Sequence, residues 1–219
     1  SVRDTLNFEQ HMKNALSALN MSIPKLWYEI PAYYSSNRGI VAGTDDPILW
    51  PKFTEKLDYE LEYGIYIGKY GVNIPESEAE EYIAGYTIYN DVSARDILSR
   101  EMSLWTGPAK GKNFLNGHIM GPCVVTPDDI GDPYNLKMVA RVNGEVWSQG
   151  NSKDMFHKFP KLIAYISQDE PLFPGDFIGS GCVPWGCCLE LGKWIKPGDV
   201  IELEVERIGV LRNRVERNR

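Results

Sequence analysis

Residues 57–67 read Leu-Asp-Tyr-Glu-Leu-Glu-Tyr-Gly-Ile-Tyr-Ile, and polarity alternates along them. Asp58, Glu60 and Glu62 fall on one side; Tyr59, Leu61 and Tyr63 fall on the other, followed by Ile65 and Ile67. A period of two is the mark of a β-strand. Such a strand needs an apolar layer against one face and something to neutralise the acids on the other. Side chains two apart stand roughly 7 Å from each other along one face. Carboxylates aimed at one volume repel unless a proton or cation lies between them. A hard divalent ion such as Mg²⁺ or Ca²⁺ would take Glu60 and Glu62 as oxygen ligands. The apolar residues around them argue against a merely solvated face.

Along the chain, residues 7–19 have helical spacing, with Phe8, Met12, Ala15, Leu16 and Leu19 near one face and Asn7 and Gln10 in a capping-box arrangement. Residues 26–34 read as extended. Residues 76–83 and 92–102 read as helices, the second with Ser93 as a possible cap. Residues 85–90, 121–126, 136–143 and 145–148 read as strands, and Asn143-Gly144 as a hairpin turn. Residues 157–167 carry another helix. After Pro197-Gly198-Asp199, VIELEVERIGVL (200–211) reads as one alternating strand. No repeat and no linker divides the chain. A β-dominated α+β fold with short helices follows, as a single domain over 1–219.

The net charge of −7 makes the chain a poor partner for nucleic acid or anionic membranes. No apolar run reaches the roughly 20 residues that span a bilayer, and no secretory signal is visible. Cys123, Cys182, Cys187 and Cys188 form no CxxC pair. They read as reduced, mostly buried cytoplasmic thiols, and zinc is the minor reading.

Asp91 ends the strand before VSARD, where a cap at Ser93 would free it to join Glu60 and Glu62 around a metal. The ordered set of Glu60-Leu-Glu62, AGYTIYNDVSARD (84–96), GKNF (111–114), Gly121-Pro122, VNGE (142–145) and PGD (174–176) resembles the fumarylacetoacetate hydrolase family, across nearly the whole chain. That resemblance implies a mixed β-sandwich or roll of the fumarylacetoacetase catalytic-domain type, a cytoplasmic homodimer, and one divalent cation, Mg²⁺, Mn²⁺ or Ca²⁺. It implies metal ligands at Glu60, Glu62 and Asp91, with Asp4 as a fourth. It also implies a catalytic His11 paired with Glu190 of CLELG, a catalytic Lys112, and Tyr34 lining the substrate pocket. Asn20, Leu98, Met102 and Cys182 stand where fumarylacetoacetase carries other lining residues, so the pocket differs while metal and dyad persist. Cys182 takes a lining position, and Arg38, on the loop after Tyr34, is a further cation for an anionic substrate. His118 and His157 match no motif and read as ordinary histidines.

The implied chemistry is hydrolysis of a C–C bond in a small anionic 1,3-diketo or 2-oxo acid. A Lewis acid and Lys112 would stabilise the enolate, and a histidine held by a carboxylate would activate water. Oxaloacetate decarboxylase, acylpyruvase and 2-oxo-dienoate isomerase or hydratase chemistry share that enolate, and so are alternatives. A non-enzymatic relic of the fold is the alternative outside catalysis. The presence of both His11 and Glu190 favours hydrolysis.

Overall fold

The computed structural model describes residues 1–17, 21–105 and 107–217. In chain order the strands are β1 (Val2–Thr5), β2 (Tyr33–Ser36), β3 (Val41–Ala42), β4 (Ile48–Trp50), β5 (Leu57–Asp58), β6 (Leu61–Ile67), β7 (Ile83–Asp91), β8 (Ser93–Ala94), β9 (His118–Val125), β10 (Lys137–Val142), β11 (Glu145–Asn151), β12 (Phe177–Gly179), β13 (Val200–Val205) and β14 (Gly209–Arg217). The α-helices are short: α1 (Glu9–Ser17), α2 (Arg95–Met102), α3 (Pro127–Ile130), α4 (Phe159–Ile166) and α5 (Cys188–Leu191). The fold is thus mixed and β-dominated. Among the described residues no helix is long and apolar enough to cross a membrane.

One sheet runs β2-β1-β12-β6-β7-β9-β3, a second runs β11-β10-β13-β14-β4, and β5 pairs with β8. The pairs β1–β12, β3–β9 and β4–β14 are parallel and the rest antiparallel. Leu61, Tyr63, Ile65 and Ile88 of the first sheet share a continuous core with Met138, Ala140, Leu203 and Leu211 of the second. Phe159, Leu162, Ile163 and Ile166 of α4 close that core. The alternation in β6 is therefore real, but its acidic face is buried too: β6 lies inside the sheet, and Glu62 is 0% exposed.

Several sequence expectations are corrected. VIELEVERIGVL is not one strand but the hairpin β13–β14, turned where Arg207 and Gly209 take positive φ. Residues 26–34 give a 3₁₀ turn at Lys25–Tyr28 before β2. The 76–83 helix is a 3₁₀ segment, Glu76–Tyr82. Asn7 forms no capping box. Its amide exchanges hydrogen bonds with the backbone of His157, and Gln10 bonds Asn14 instead. The C-terminal end of the 7–19 helix lies outside the described residues. Helix α2 starts at Arg95, with Asp96 accepting from the Glu55 and Ile97 amides, and Ser93 sits in β8. The Asn143-Gly144 hairpin is as expected, both residues having the positive φ that such a turn demands.

Gly64 shows how closely β6 and β12 approach. A Cβ there would lie 2.3 Å from Phe177 Cζ and 2.7 Å from the Ile178 carbonyl oxygen. Gly64→Ala is expected to lower stability by about 1–3 kcal/mol, the usual cost of overpacking, read as a fall in the urea midpoint. An unchanged midpoint would show that the sheet yields at this point.

Candidate active site

The strand order sets the carboxylates side by side. Asp4 projects from β1, Glu62 from β6 and Asp91 from the end of β7, with β12 between β1 and β6. Oxygens of these three acids lie within 4.8 Å of one another. All three are buried: Asp4 is 5% exposed, Glu62 0% and Asp91 0%. The gap over β12 is open because position 179 is glycine. A Cβ there would stand 2.3 Å from Asp4 Oδ1.

Neither carboxylate oxygen of Glu62 has a hydrogen-bond partner. Burial, then the charges of Asp4 and Asp91, push the Glu62 carboxyl well above its ordinary range. Burial and Asp91 do the same to Asp4. The two Glu62 oxygens, buried without a donor beside Asp4 and Asp91, are what a hard divalent cation satisfies, so the trio fits such an ion.

Asp91 is held as an anion. Burial alone would raise it, but Lys112 and then His118 bring it well below the usual carboxylate range. Lys112 Nζ lies 2.5 Å from Asp91 Oδ2 and also donates to Glu60 Oε2. The Tyr34 hydroxyl is 2.7 Å from both Asp91 oxygens. The Tyr89 hydroxyl is 3.0 Å from Asp91 Oδ1 and 2.6 Å from His118 Nδ1. The charges of Asp91 and Glu60 keep Lys112 protonated against its burial.

Glu60 stands apart from the trio. It precedes β6 in an isolated bridge to Cys187, and its oxygens are occupied: Oε1 by Arg95 at 2.7 Å, Oε2 by Lys112 and by Ser93 at 3.3 Å. Against burial, the Arg95 and Lys112 charges hold it below its ordinary range. Asp4, Glu62 and Asp91 form one close group, and Lys112 bridges Glu60 to Asp91 beside it. Arg95 also binds Asp58 at 2.7 Å. Asp58 in turn accepts the amides of Cys188 (2.6 Å) and Leu189 (3.1 Å), fixing the first turn of α5.

That turn carries Glu190, so CLELG is a helical turn. His11 Nδ1 lies 2.8 Å from Glu190 Oε2, although 179 residues separate the pair. Asn14, one helical turn after His11, donates to Glu190 Oε1 at 2.7 Å. The other ring nitrogen of His11 lies 4.0 Å from Glu60 Oε1. Burial works against the Glu190 anion, but the His11 hydrogen bond and charge hold its pKa below the ordinary value.

The structure therefore brings together Asp4, Glu60, Glu62, Asp91, Lys112, Tyr34, His11 and Glu190. Tyr34 spends its hydroxyl on Asp91. Cys182 is buried behind His11, its thiol donating to the Val183 carbonyl. Arg38 lies elsewhere, lining a cavity of about 680 Å³ with Arg3, Glu170 and Asp176. Met102 is exposed, and Asn20 lies outside the described residues. Ser93 caps no helix; its hydroxyl bonds Glu60 and the Asp91 carbonyl. His118 is not an ordinary histidine, since it is fully buried and sits 3.3 Å from Asp91 Oδ1. Sequence reasoning also passed over Tyr89, Arg95 and Asn14. Tyr89 is two before Asp91 on one strand face, and Asn14 is three after His11, so periodicity alone signalled both.

The model of the fumarylacetoacetate hydrolase C-terminal domain family matches residues 1–216. The mitochondrial oxaloacetate tautomerase of Rattus norvegicus is 36% identical over 211 residues, 96% of this chain and 64% of that protein. The chain thus spans less than two thirds of that relative's length. Among solved structures, a 5-carboxymethyl-2-hydroxymuconate delta-isomerase from Mycobacterium smegmatis is 29% identical with a TM-score of 0.81, covering 100% of this chain and 79% of that one. A fumarylacetoacetate hydrolase from Exiguobacterium antarcticum is 29% identical with a TM-score of 0.82, covering 99% and 75%.

The raised carboxyls of Asp4 and Glu62 carry a linkage. Above the ordinary carboxylate range the folded chain holds protons that the unfolded chain has released, so these groups cost stability as pH rises from that range through their raised one. A cation on the trio would replace those protons. Mg²⁺ at 100 times its Kd is expected to add about 2.7 kcal/mol near pH 8. It should add clearly less near about pH 5, where protons compete. Thermal melts with and without Mg²⁺ measure this, and Glu62→Gln should abolish the shift. An equal shift at both pH values, or in the variant, places the ion elsewhere.

Proposed function

The chain belongs to the fumarylacetoacetate hydrolase family, and on that premise we propose that it is a divalent-cation-dependent hydrolase of small anionic 1,3-diketo or 2-oxo acids. The observation that carries this reading is the His11–Glu190 contact of 2.8 Å, formed from opposite ends of the chain beside the buried acids. Asp4, Glu62 and Asp91 are the residues that would hold Mg²⁺, Mn²⁺ or Ca²⁺. A bound cation supplies Lewis-acid stabilisation of an enolate and offsets a net charge of −7 that repels an anion.

The remaining steps fall to the protein's own groups. Glu190 accepts the Nδ1 proton of His11, which fixes the tautomer and leaves Nε2 as the base. Nε2 takes a proton from water, and Glu190 stabilises the imidazolium that results. The hydroxide adds to the distal carbonyl carbon of the substrate. The C–C bond then breaks, its electron pair enters the enolate of the 2-oxo acid fragment, and His11 returns the proton to carbon. The acid product gives its own proton to solvent. Lys112, buried and charged, sets a fixed positive charge beside the developing anion. Asn14 keeps Glu190 in register.

A second reading omits water. His11 would move a proton between carbon and oxygen in an enol–keto exchange. The activity in the name of the rat relative and the isomerase name of the M. smegmatis structure favour it.

His11→Ala is expected to lose at least about 10²-fold in hydrolysis of acylpyruvates with Mg²⁺, followed by loss of enol absorbance and appearance of the acid product. Normal hydrolysis in that variant puts the base elsewhere. Enol–keto exchange of oxaloacetate without hydrolysis of any acylpyruvate or of fumarylacetoacetate would replace the first reading by the second. Lys112→Met should cut kcat more than Mg²⁺ affinity; the reverse would make it a structural counter-ion.

A further inference from the structure

His11, Cys182, Cys187 and Glu190 each offer one potential ligand atom, and these atoms lie within 4.8 Å of one another. The sequence has no CxxC pair, but Cys182 and Cys187 stand with four residues between them, and folding brings both to His11 and Glu190. Cys182 follows β12 through the turn at Gly181, whose φ is +80°. Cys187 precedes α5, and α5 itself carries Glu190. We propose that these four residues form a second cation site, selective for a borderline ion such as Zn²⁺ over Mg²⁺, whose occupancy withdraws His11 and Glu190 from water activation.

The donor set is two sulfurs, one imidazole nitrogen and one carboxylate oxygen. Thiolates prefer Zn²⁺ and its soft neighbours, whereas Mg²⁺ prefers oxygen. Tetrahedral zinc, at about 2.0–2.3 Å from each donor, sets donors about 3.3–3.8 Å apart. Two contacts are already that short or shorter: His11 Nδ1 to Glu190 Oε2 at 2.8 Å, and Cys187 Sγ to Glu190 Oε2 at 3.4 Å. The rest need a contraction of about 1 Å, within side-chain rotation. Asn14 occupies the other Glu190 oxygen and leaves Oε2 turned to the cluster.

Burial keeps the Cys182 thiol protonated at neutral pH. An arriving ion displaces both thiol protons to solvent as the two metal–sulfur bonds form. The two thiolates and Glu190 then outweigh the ion by one negative charge, and the Arg95 guanidinium stands near Cys187 to offset it. For Nδ1 to ligate, the His11 proton moves from Nδ1 to Nε2, so Nε2 no longer serves as the base. That consequence rests on the role proposed for His11; the binding does not.

The test uses the full chain stripped of metal and then saturated with Mg²⁺. Co²⁺ is titrated in as a spectroscopic probe. One equivalent should raise a thiolate-to-cobalt charge-transfer band in the near ultraviolet, and Zn²⁺ should bleach it. In weak buffer, Zn²⁺ should release two protons per chain. Cys182→Ser and Cys187→Ser, singly, should lose most of the band while keeping the Mg²⁺-dependent thermal shift, which certifies their fold. Cys123→Ser should keep the band. No band in the unaltered protein, or a full band in both variants, overturns the site. One equivalent of Zn²⁺ should also lower Mg²⁺-supported turnover at least about 10²-fold, the worth of a general base. Band formation without that loss overturns the inhibitory half and leaves the binding half standing.

Discussion

Asp4, Glu62 and Asp91 give up nearly all contact with water while standing within 4.8 Å of one another, and their surroundings are organised around that repulsion. Isolated carboxylates would not ionise in such a place. Lys112 enters as a buried cation against Asp91 and Glu60, and Arg95 answers Glu60 and Asp58. Two tyrosine hydroxyls, from Tyr34 and Tyr89, point at Asp91. Removing one partner of such a buried pair typically costs about 3–5 kcal/mol, because the other is left uncompensated. The charges here are set by position in a rigid sheet, with each acid fixed by a different strand.

The same charges reach the second half of the site. Asp58 belongs to the acidic face that carries Glu60 and Glu62, yet it serves neither a metal nor substrate. It accepts two amides at the start of α5 and is paired with Arg95, which also holds Glu60. The position of Glu190, and through it the orientation of His11, is tied to the acids around Lys112. The buried acids and the His11–Glu190 pair share one frame of hydrogen bonds and ion pairs.

Much of this was legible in the sequence. The alternation of 57–67 gave β6 and its acidic face, and the ordered motifs gave Lys112, Asp91, His11 and Glu190. Glu60 lies in an isolated bridge just before β6, and its carboxylate is held by Lys112 and Arg95. VIELEVERIGVL concealed a hairpin, because Arg207 is not a residue whose identity announces positive φ. Asn7 has the chemistry of a cap but found stronger partners in the His157 backbone. His118 matched no motif, and only its cross-strand register with Asp91 reveals it. Of the His11, Cys182, Cys187 and Glu190 cluster, only the arrival of His11 depends on distant tertiary approach.

The strand that carries Asp4 has an unusual place in time as well as in space. Strand β1 sits between β2, which follows it closely, and β12, where Val2 pairs with Phe177. Translation runs from the N- to the C-terminus, so Asp4 is made before Glu62 and Asp91, yet β1 gains its neighbour β12 only after residues 177–179 are made. Long-range pairing of this kind is slow to form. Until residues 177–190 have emerged, Asp4 lacks its parallel partner strand and His11 lacks Glu190. The buried acids and the His11–Glu190 pair are therefore brought together only after residues 177–190 have been made.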